Sequence, residues 1–275
     1  MNVFGGATRG MMDEGPRGPR GFRGRDSSMD DLATWLPQTI ISNLQKNDES
    51  GSYFIKNPEK DLVRDDNKNI TQWVTRSMQG DNLIAVKKPA NELEEIHMAP
   101  NNEERYAMIF KNAQYRCHRS QFISGLIDSI GFACITFRTN SEDEQVLIST
   151  RGPSAGQSGV EIKISGATEI TIQFHKVKEI VQHSSLKEWT TLFIEYNSDK
   201  KTAHFTYDVN GSIGSFTAPA EHGARLGFVL GSRWDGTKFL DGEIASVECY
   251  SNRHTVAPLP DTLKNMVIKN QEVSY

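Results

Sequence analysis

The chain has 275 residues, three cysteines and a formal charge of −4, with 24% of its side chains charged. That length accommodates one large β-domain and a smaller companion, and it buries a core without a disulfide framework. The mild acidity excludes a global pull toward nucleic acid or an anionic membrane, and no apolar run approaches the roughly 20 residues that span a bilayer.

The first residues, Met-Asn-Val-Phe-Gly-Gly-Ala-Thr-Arg, lack the apolar stretch of a secretory signal, so synthesis in the cytosol is expected. The sequons at Asn69 and Asn210 are then read as chance matches. Gly15, Gly18, Gly21 and Gly24 open four consecutive Gly-X-Y triplets, with Arg17, Arg20 and Arg23 in the third place. Glycine at every third residue is what the crowded axis of a triple helix demands, and an arginine in the third place points outward. Two readings stand side by side. One is a collagen-like stub that marks a homotrimer; the other is a loose basic tail lying on an acidic surface. Four triplets are too few to hold three chains together unaided. Either way, residues 1–27 form an arm that belongs on a partner, a virion or other particle, rather than in a core.

Residues 28–103 read as a small mixed α/β joining module. Ser28 with Asp30 and Asp31 offers a helix start, Pro37 interrupts it, and Ile40, Ile41 and Leu44 resume it. Ser52–Ile55 resembles a short strand closed by Pro58, a helix is expected around Thr71–Ser77, and another short strand at Asn82–Val86. Trp35 and Trp73 are its expected core. Lys87–Glu104 is polar and carries Pro89 and Pro100, as a connector would.

Residues 104–275 carry the alternation of sheets with one buried face. Val160, Ile162 and Ile164 alternate with Glu161, Lys163 and Ser165; after a turn at Gly166, Ile170, Ile172 and Phe174 alternate with Thr171, Gln173 and His175. That pair is expected to be a hairpin with a polar outer face. The segments around Phe132–Phe137 and Trp189–Tyr196 are apolar on both sides and should be central or covered strands. Near the C-terminus, Ile244 shares a face with Val247 and Cys249 only if a bulge intervenes near Ala245–Ser246.

The run from Arg225 to Tyr250, RLGFVLGSRWDGTKFLDGEIASVECY, follows Trp189–Tyr196 and Ala203–Gly211. Together these resemble the laminin-G-like, concanavalin-A-like family from about Glu104 to Val267. The fold class implied is mainly β: an antiparallel concanavalin-A-like jelly-roll sandwich, preceded here by the α/β module and the collagen-like arm. The resemblance also implies that Leu259–Ile268 is a short closing helix. It makes the first and last strands neighbours, so that Cys117 and Cys249 are either bridged or remain buried thiols.

Chemistry is sparse. No Glu-x-Asp-x-Glu pattern, Gly-x-Ser-x-Gly elbow or phosphate loop occurs, and Cys117-His118 lacks the further ligands of a zinc site. Glu142-Asp143-Glu144 and Glu92–Glu95 are expected on loops. Catalysis is therefore not expected. Arg233, Trp234 and Asp235 combine a ring on which a sugar can stack with polar groups that hydrogen-bond its edge, and the Gly/Ser-rich loop beginning at Arg151 shares that rim. Asp235 or Asp241 could hold calcium as loop acids do in some relatives, but no run of oxygen ligands supports it, so no cofactor is expected. The plan resembles that of virus and phage fibres: a homotrimeric attachment protein on a virion surface, made in host cytoplasm, whose lectin-like head meets a glycan or protein receptor. The alternative is an extracellular laminin-G-like adhesion or sugar-binding module.

Overall fold

The computed structural model describes residues 49–76, 81–98, 102–117, 129–150, 159–199, 201–220, 228–252, 261–269, 271 and 273. The Gly-X-Y arm (Gly15, Arg17, Gly18, Arg20, Gly21, Arg23, Gly24), the helical stretch expected at 28–44 with Trp35, and Arg151 lie outside them.

Two antiparallel sheets face each other. The first runs β15 (Ser212–Pro219), β14 (Thr202–Val209), β13 (Thr190–Ser198), β8 (Ser129–Thr139), β17 (Asp241–Asn252), β6 (Glu103–Lys111) and β5 (Leu93–Met98), with β1 (Glu49–Phe54) also paired to β17. The second runs β12 (Val177–Gln182), β11 (Glu169–Phe174), β10 (Val160–Ser165), β9 (Gln145–Ser149), β16 (Val229–Leu230), β7 (Gln114–Arg116), β4 (Leu83–Lys87), β3 (Ile70–Trp73) and β2 (Leu62–Arg64). Two helices complete the described elements: α1 (Pro58–Asp61) and α2 (Asp261–Lys269).

The alternating apolar positions converge between the sheets. Val160, Ile162, Ile164, Ile170, Ile172 and Phe174 of the second sheet join Ile135, Phe137, Leu192, Ile194 and Tyr196 of the first in one fully buried core. Phe205 is its aromatic hub, with ring centroids 5.0 Å from Phe174, 5.3 Å from Tyr196 and 4.6 Å from Phe216. Cys117, Cys134 and Cys249 are buried free thiols. Burial above all, and then the nearby Cys117, hold the Cys249 thiol well above its ordinary pKa.

The bulge expected near the end of the chain is present. Ile244 pairs with Phe137 and Ser246 with Thr136, leaving Ala245 extra. The slip returns Ile244, Val247 and Cys249 to one core face and sends Ala245 to the other. The β10–β11 hairpin forms with Ile162 opposite Ile172, and Leu259–Ile268 contains the expected helix as α2.

Three expectations for the first half are corrected. Residues 49–98 do not stand apart as a joining module: β1 and β5 lie in the first sheet and β2, β3 and β4 in the second, so the sandwich begins by Glu49 rather than Glu104. The described part of Thr71–Ser77, up to Arg76, is not a helix, because Ile70 and Trp73 belong to β3. Val63 pairs with Gln72 and Arg64 with Ile70, so Thr71 is a bulge that turns both apolar residues inward and imitates helical spacing. The polar stretch 87–104 contains β5, in which Glu94 is bound by Arg138 rather than solvated on a loop.

The outer face of the first sheet is closed by the C-terminal segment. Val267 and Ile268 of α2 pack on Ile130, Phe132, Cys134, Phe193 and Tyr250, and Lys264 Nζ reaches Glu195 at 2.5 Å. Beyond α2, the Thr136 hydroxyl donates to the Gln271 carbonyl at 2.6 Å, the Ser246 hydroxyl donates to the Gln271 side chain at 2.9 Å, and Val273 bridges to Met98. This is why β8 and β13 read as apolar on both sides.

Candidate functional site

The C-terminal segment covers the middle of the first sheet's outer face; the outer face of the second carries a row of polar and charged side chains, exposed at its ends and buried in its middle. Register fixes which side chains share it. Lys178 stands opposite Gln173, Gln173 opposite Glu161, and Glu161 opposite Ser149. Ser149 then faces Val229, Val229 faces Arg116, and Arg116 faces Ile84. Residues directly opposite in adjacent strands point to the same side of a sheet. This row therefore crosses seven strands on the face away from the core, and Lys163, opposite Thr171, lies one step along it.

The loop between β16 and β17 folds over the middle of that row. Arg233 N–H donates to the Thr237 carbonyl at 2.9 Å, and Gly236 N–H donates to the Arg233 carbonyl at 3.0 Å. The Asp235 carboxylate accepts from Thr237 N–H at 3.1 Å and from its hydroxyl at 2.6 Å. From below, Gln114 donates its amide to the Arg233 carbonyl at 2.9 Å. Gly231 anchors the loop at φ +80°, in the left-handed region that favours glycine, with Phe110 and the Ala113 carbonyl directly against it.

This anchoring brings Arg233 Nε to 3.5 Å from Glu161 Oε2, while Lys163 Nζ lies 3.3 Å from Glu161 Oε1. Glu161 is 1% exposed, whereas the Arg233 side chain is 43% exposed. The carboxylate is thus a buried strut that orients a guanidinium whose far side reaches solvent, beside the half-buried Trp234. The outer face of the β10–β11 hairpin is polar, as expected, but it is covered rather than open. Glu161, Thr171 and Gln173 are all less than one tenth exposed, and the cations Lys163 and Arg233 lie over Glu161.

Of the residues singled out from sequence, Arg233, Trp234 and Asp235 share this turn, and Arg151 lies outside the described residues. Asp235 spends its carboxylate on holding the turn. Asp241 donates its N–H to the Gln145 side chain at 2.7 Å and its carbonyl accepts from Asn140. Among the described residues no three His, Cys, Asp or Glu side chains gather as a metal site. Sequence reading missed Glu161, Lys163, Arg116 and Lys178 as members of one surface; their alternation was visible, but their alignment across strands was not.

Two other polar places are occupied. Arg138 lies 4.8 Å from the Trp189 ring and is held by Glu243 at 3.0 Å and Glu94 at 2.5 Å. A depression of about 200 Å³ between α2 and the β14–β15 turn is lined by Asp208, Asn210 and Lys269. Asp208 and Asn210 already accept main-chain N–H groups there, from Gly211 and Thr191.

No family model matches this sequence, and no curated protein matches it. Solved structures do match. A GH54 α-L-arabinofuranosidase superposes with a TM-score of 0.52 at 9% identity, over 74% of this chain and 51% of that one. The fold is an antiparallel β-sandwich of the jelly-roll kind. Domain 4 of AbnA, a GH43 extracellular arabinanase from Geobacillus stearothermophilus solved with arabinotriose, gives 0.49 at 12% identity over 79% and 98% of the two chains. The CBM40 of Ruminococcus gnavus IT-sialidase, bound to α2,3-sialyllactose, gives 0.39 at 14% identity over 57% and 98%. The chain spans about half the length of the arabinofuranosidase it matches.

Proposed function

We propose that this chain is a non-enzymatic glycan-binding protein whose site is the outer face of the second sheet beneath Arg233 and Trp234. The observation that carries the reading is the Glu161–Arg233 strut. It sets the Arg233 guanidinium 3.5 Å from a buried carboxylate and one residue from the half-buried Trp234, so a sugar could stack on the ring and meet the guanidinium at its edge. Hydrolysis is disfavoured as a reading because Glu161 is committed to two cations and Asp235 to its own turn, whereas glycosidic cleavage uses a pair of available carboxyl groups.

In its finer form the proposal makes this sandwich the lectin-like head of a homotrimeric virion fibre or spike, with the Gly-X-Y arm as collagen-like anchor; the laminin-G-like motif and the four triplets support it. Two experiments test the two levels. A glycan array probed with the full chain, then with Arg233→Ala and Trp234→Ala, is expected to give hits that weaken at least about tenfold in each variant. An array without hits, or hits indifferent to both variants, would overturn the binding reading. Light scattering of the full chain beside one beginning at Ser27 reads the assembly. Trimers support the fibre, and monomers in both remove it in favour of a lone extracellular module.

A further inference from the structure

We infer that the ligand of this face is an acidic oligosaccharide, laid across the strands rather than along them; the inference rests on the binding site proposed above. Five cationic side chains, Lys87, Arg116, Lys163, Lys178 and Arg233, are carried by the strands and loop of this face. The carboxylates that share it are already engaged: Glu161 by Lys163 and Arg233, Glu169 by Thr171 and Gln182, and Asp235 by Thr237. Arg116 and Lys178 are exposed, and among the described residues neither has a side-chain hydrogen bond or ion pair. On a chain whose formal charge is −4, this is a local reversal of sign.

The cations are also ordered. The transverse row places Lys178 two strands from Glu161, and Arg116 three strands beyond it on the other side. At a strand spacing of about 4.8 Å, the stations Lys178, Lys163/Arg233 and Arg116 stand roughly 10 and 14 Å apart. Gln173, Ser149 and Val229 between them are less than one tenth exposed, so the ligand meets the three stations from above the covered row rather than on the bare sheet. A single acid sugar would use only the central station; an oligosaccharide bearing several carboxylates or sulfates reaches all three. Arg233 is built for the central contact, since Glu161 occupies its Nε side and the planar fork beyond it suits a two-oxygen anion.

The test uses the full chain and two matched probe pairs: oligogalacturonate hexamer against its methyl ester, and a heparin-derived sulfated hexasaccharide against its desulfated form, by calorimetry at low and physiological salt. At least one fully charged member is expected to bind ten-fold or more tightly than its partner, the neutral methyl ester or the desulfated form that keeps only its carboxylates. Its disaccharide should be weaker, and its affinity should fall as salt rises. Lys178→Gln and Arg116→Gln, both exposed and therefore harmless to folding, should each cost about two- to five-fold. Neutral glycans binding as tightly as acidic ones, or hits on the array among neutral sugars alone, overturn this inference and leave the binding site standing. Neither kind binding overturns both. A single-stranded DNA of equal charge binding as tightly as the acidic sugar overturns the sugar specificity and makes the row a general polyanion surface.

Discussion

Glu248 sits on β17 with no exposure, on the outer side of the first sheet, accepting from the Ser52 hydroxyl at 2.7 Å while its second oxygen has no hydrogen-bond partner. Burial outweighs that bond and the nearby Arg105, and pushes the carboxyl up to about 8 from 4.5. The folded-state pKa is raised on an acid, so the fold favours the protonated form. The unfolded chain releases the proton near 4.5 and the folded chain keeps it until about 8. Between those values the unfolded state binds fewer protons, so stability is fully present below 4.5 and declines as pH rises toward 8. One proton corresponds to about 1.4 kcal/mol per pH unit, so Glu248 removes roughly 2–3 kcal/mol between pH 5.5 and 7.5. Glu248→Gln keeps the shape and the acceptor for Ser52 but cannot ionise. Urea unfolding of both proteins at pH 5.5, 6.5 and 7.5 is expected to show the variant's advantage widening by about 1.4 kcal/mol per pH unit. From the lowest to the highest pH it should grow by about 2–3 kcal/mol, which is about 0.7–1.5 M urea at a slope of 2–3 kcal/mol/M. Other titrating groups cancel in the difference. Two parallel pH profiles would refute the reasoning.

Two glycines should separate sharply under the same substitution. Gly231→Ala puts a Cβ at 2.4 Å from Phe110 and 2.9 Å from the Ala113 carbonyl at φ +80°, for an expected loss of about 2–4 kcal/mol. Gly211→Ala, at φ +87° with nothing within 4 Å, should cost only about 1 kcal/mol; thermal unfolding of the pair measures both. Phe205→Ala removes the ring that joins Phe174, Tyr196 and Phe216, and chemical denaturation should show about 3–5 kcal/mol lost. Because Gly231 also anchors the Arg233 turn, Gly231→Ala should weaken glycan binding at a temperature where the chain remains folded, which Phe205→Ala should not.

What could be read in the sequence was local. The β10–β11 hairpin announces itself in strict alternation, and the Ala245 bulge in a break of parity that only one extra residue repairs. The loop carrying Arg233, Trp234 and Asp235 was legible as a turn because Gly236 and polar residues interrupt the apolar run between the last two strands. Three features resisted for physical reasons. Thr71 bulges, so Ile70 and Trp73 fall three apart as they would on a helix. β5 lies at an edge, where Glu94, Glu95 and His97 meet solvent or an ion pair and hide the apolar Ile96 and Met98 between them. The site's row draws on β12, β11, β10, β9, β16, β7 and β4, whose lateral order is set by long-range pairing and leaves no mark on neighbouring residues. Glu161 reads as one more exposed acid until Arg233, 72 positions later in the chain, is laid over it.

The C-terminal segment and the site are two consequences of one asymmetry. Both sheets have an outer face, and a sandwich gains by burying apolar groups on either. The first sheet presents Ile130, Phe132, Phe193 and Tyr250 outward, and α2 covers them. The second presents Lys178, Gln173, Glu161, Ser149, Val229, Arg116 and Ile84 in its central row, a mostly polar set that gives a helix less apolar surface to cover. The described chain also enters on the covered side, where Glu49 pairs with Ser251. The described chain thus begins in the first sheet while the cationic row lies on the second, the separation that the proposed tethered head requires. If the arm carries the anchor, cross-linking the arm to a surface should leave affinity for the acidic glycan within about two-fold of its free value. An attached protein that loses binding would mean that arm and row compete for one face, and the tethered-head arrangement would fall.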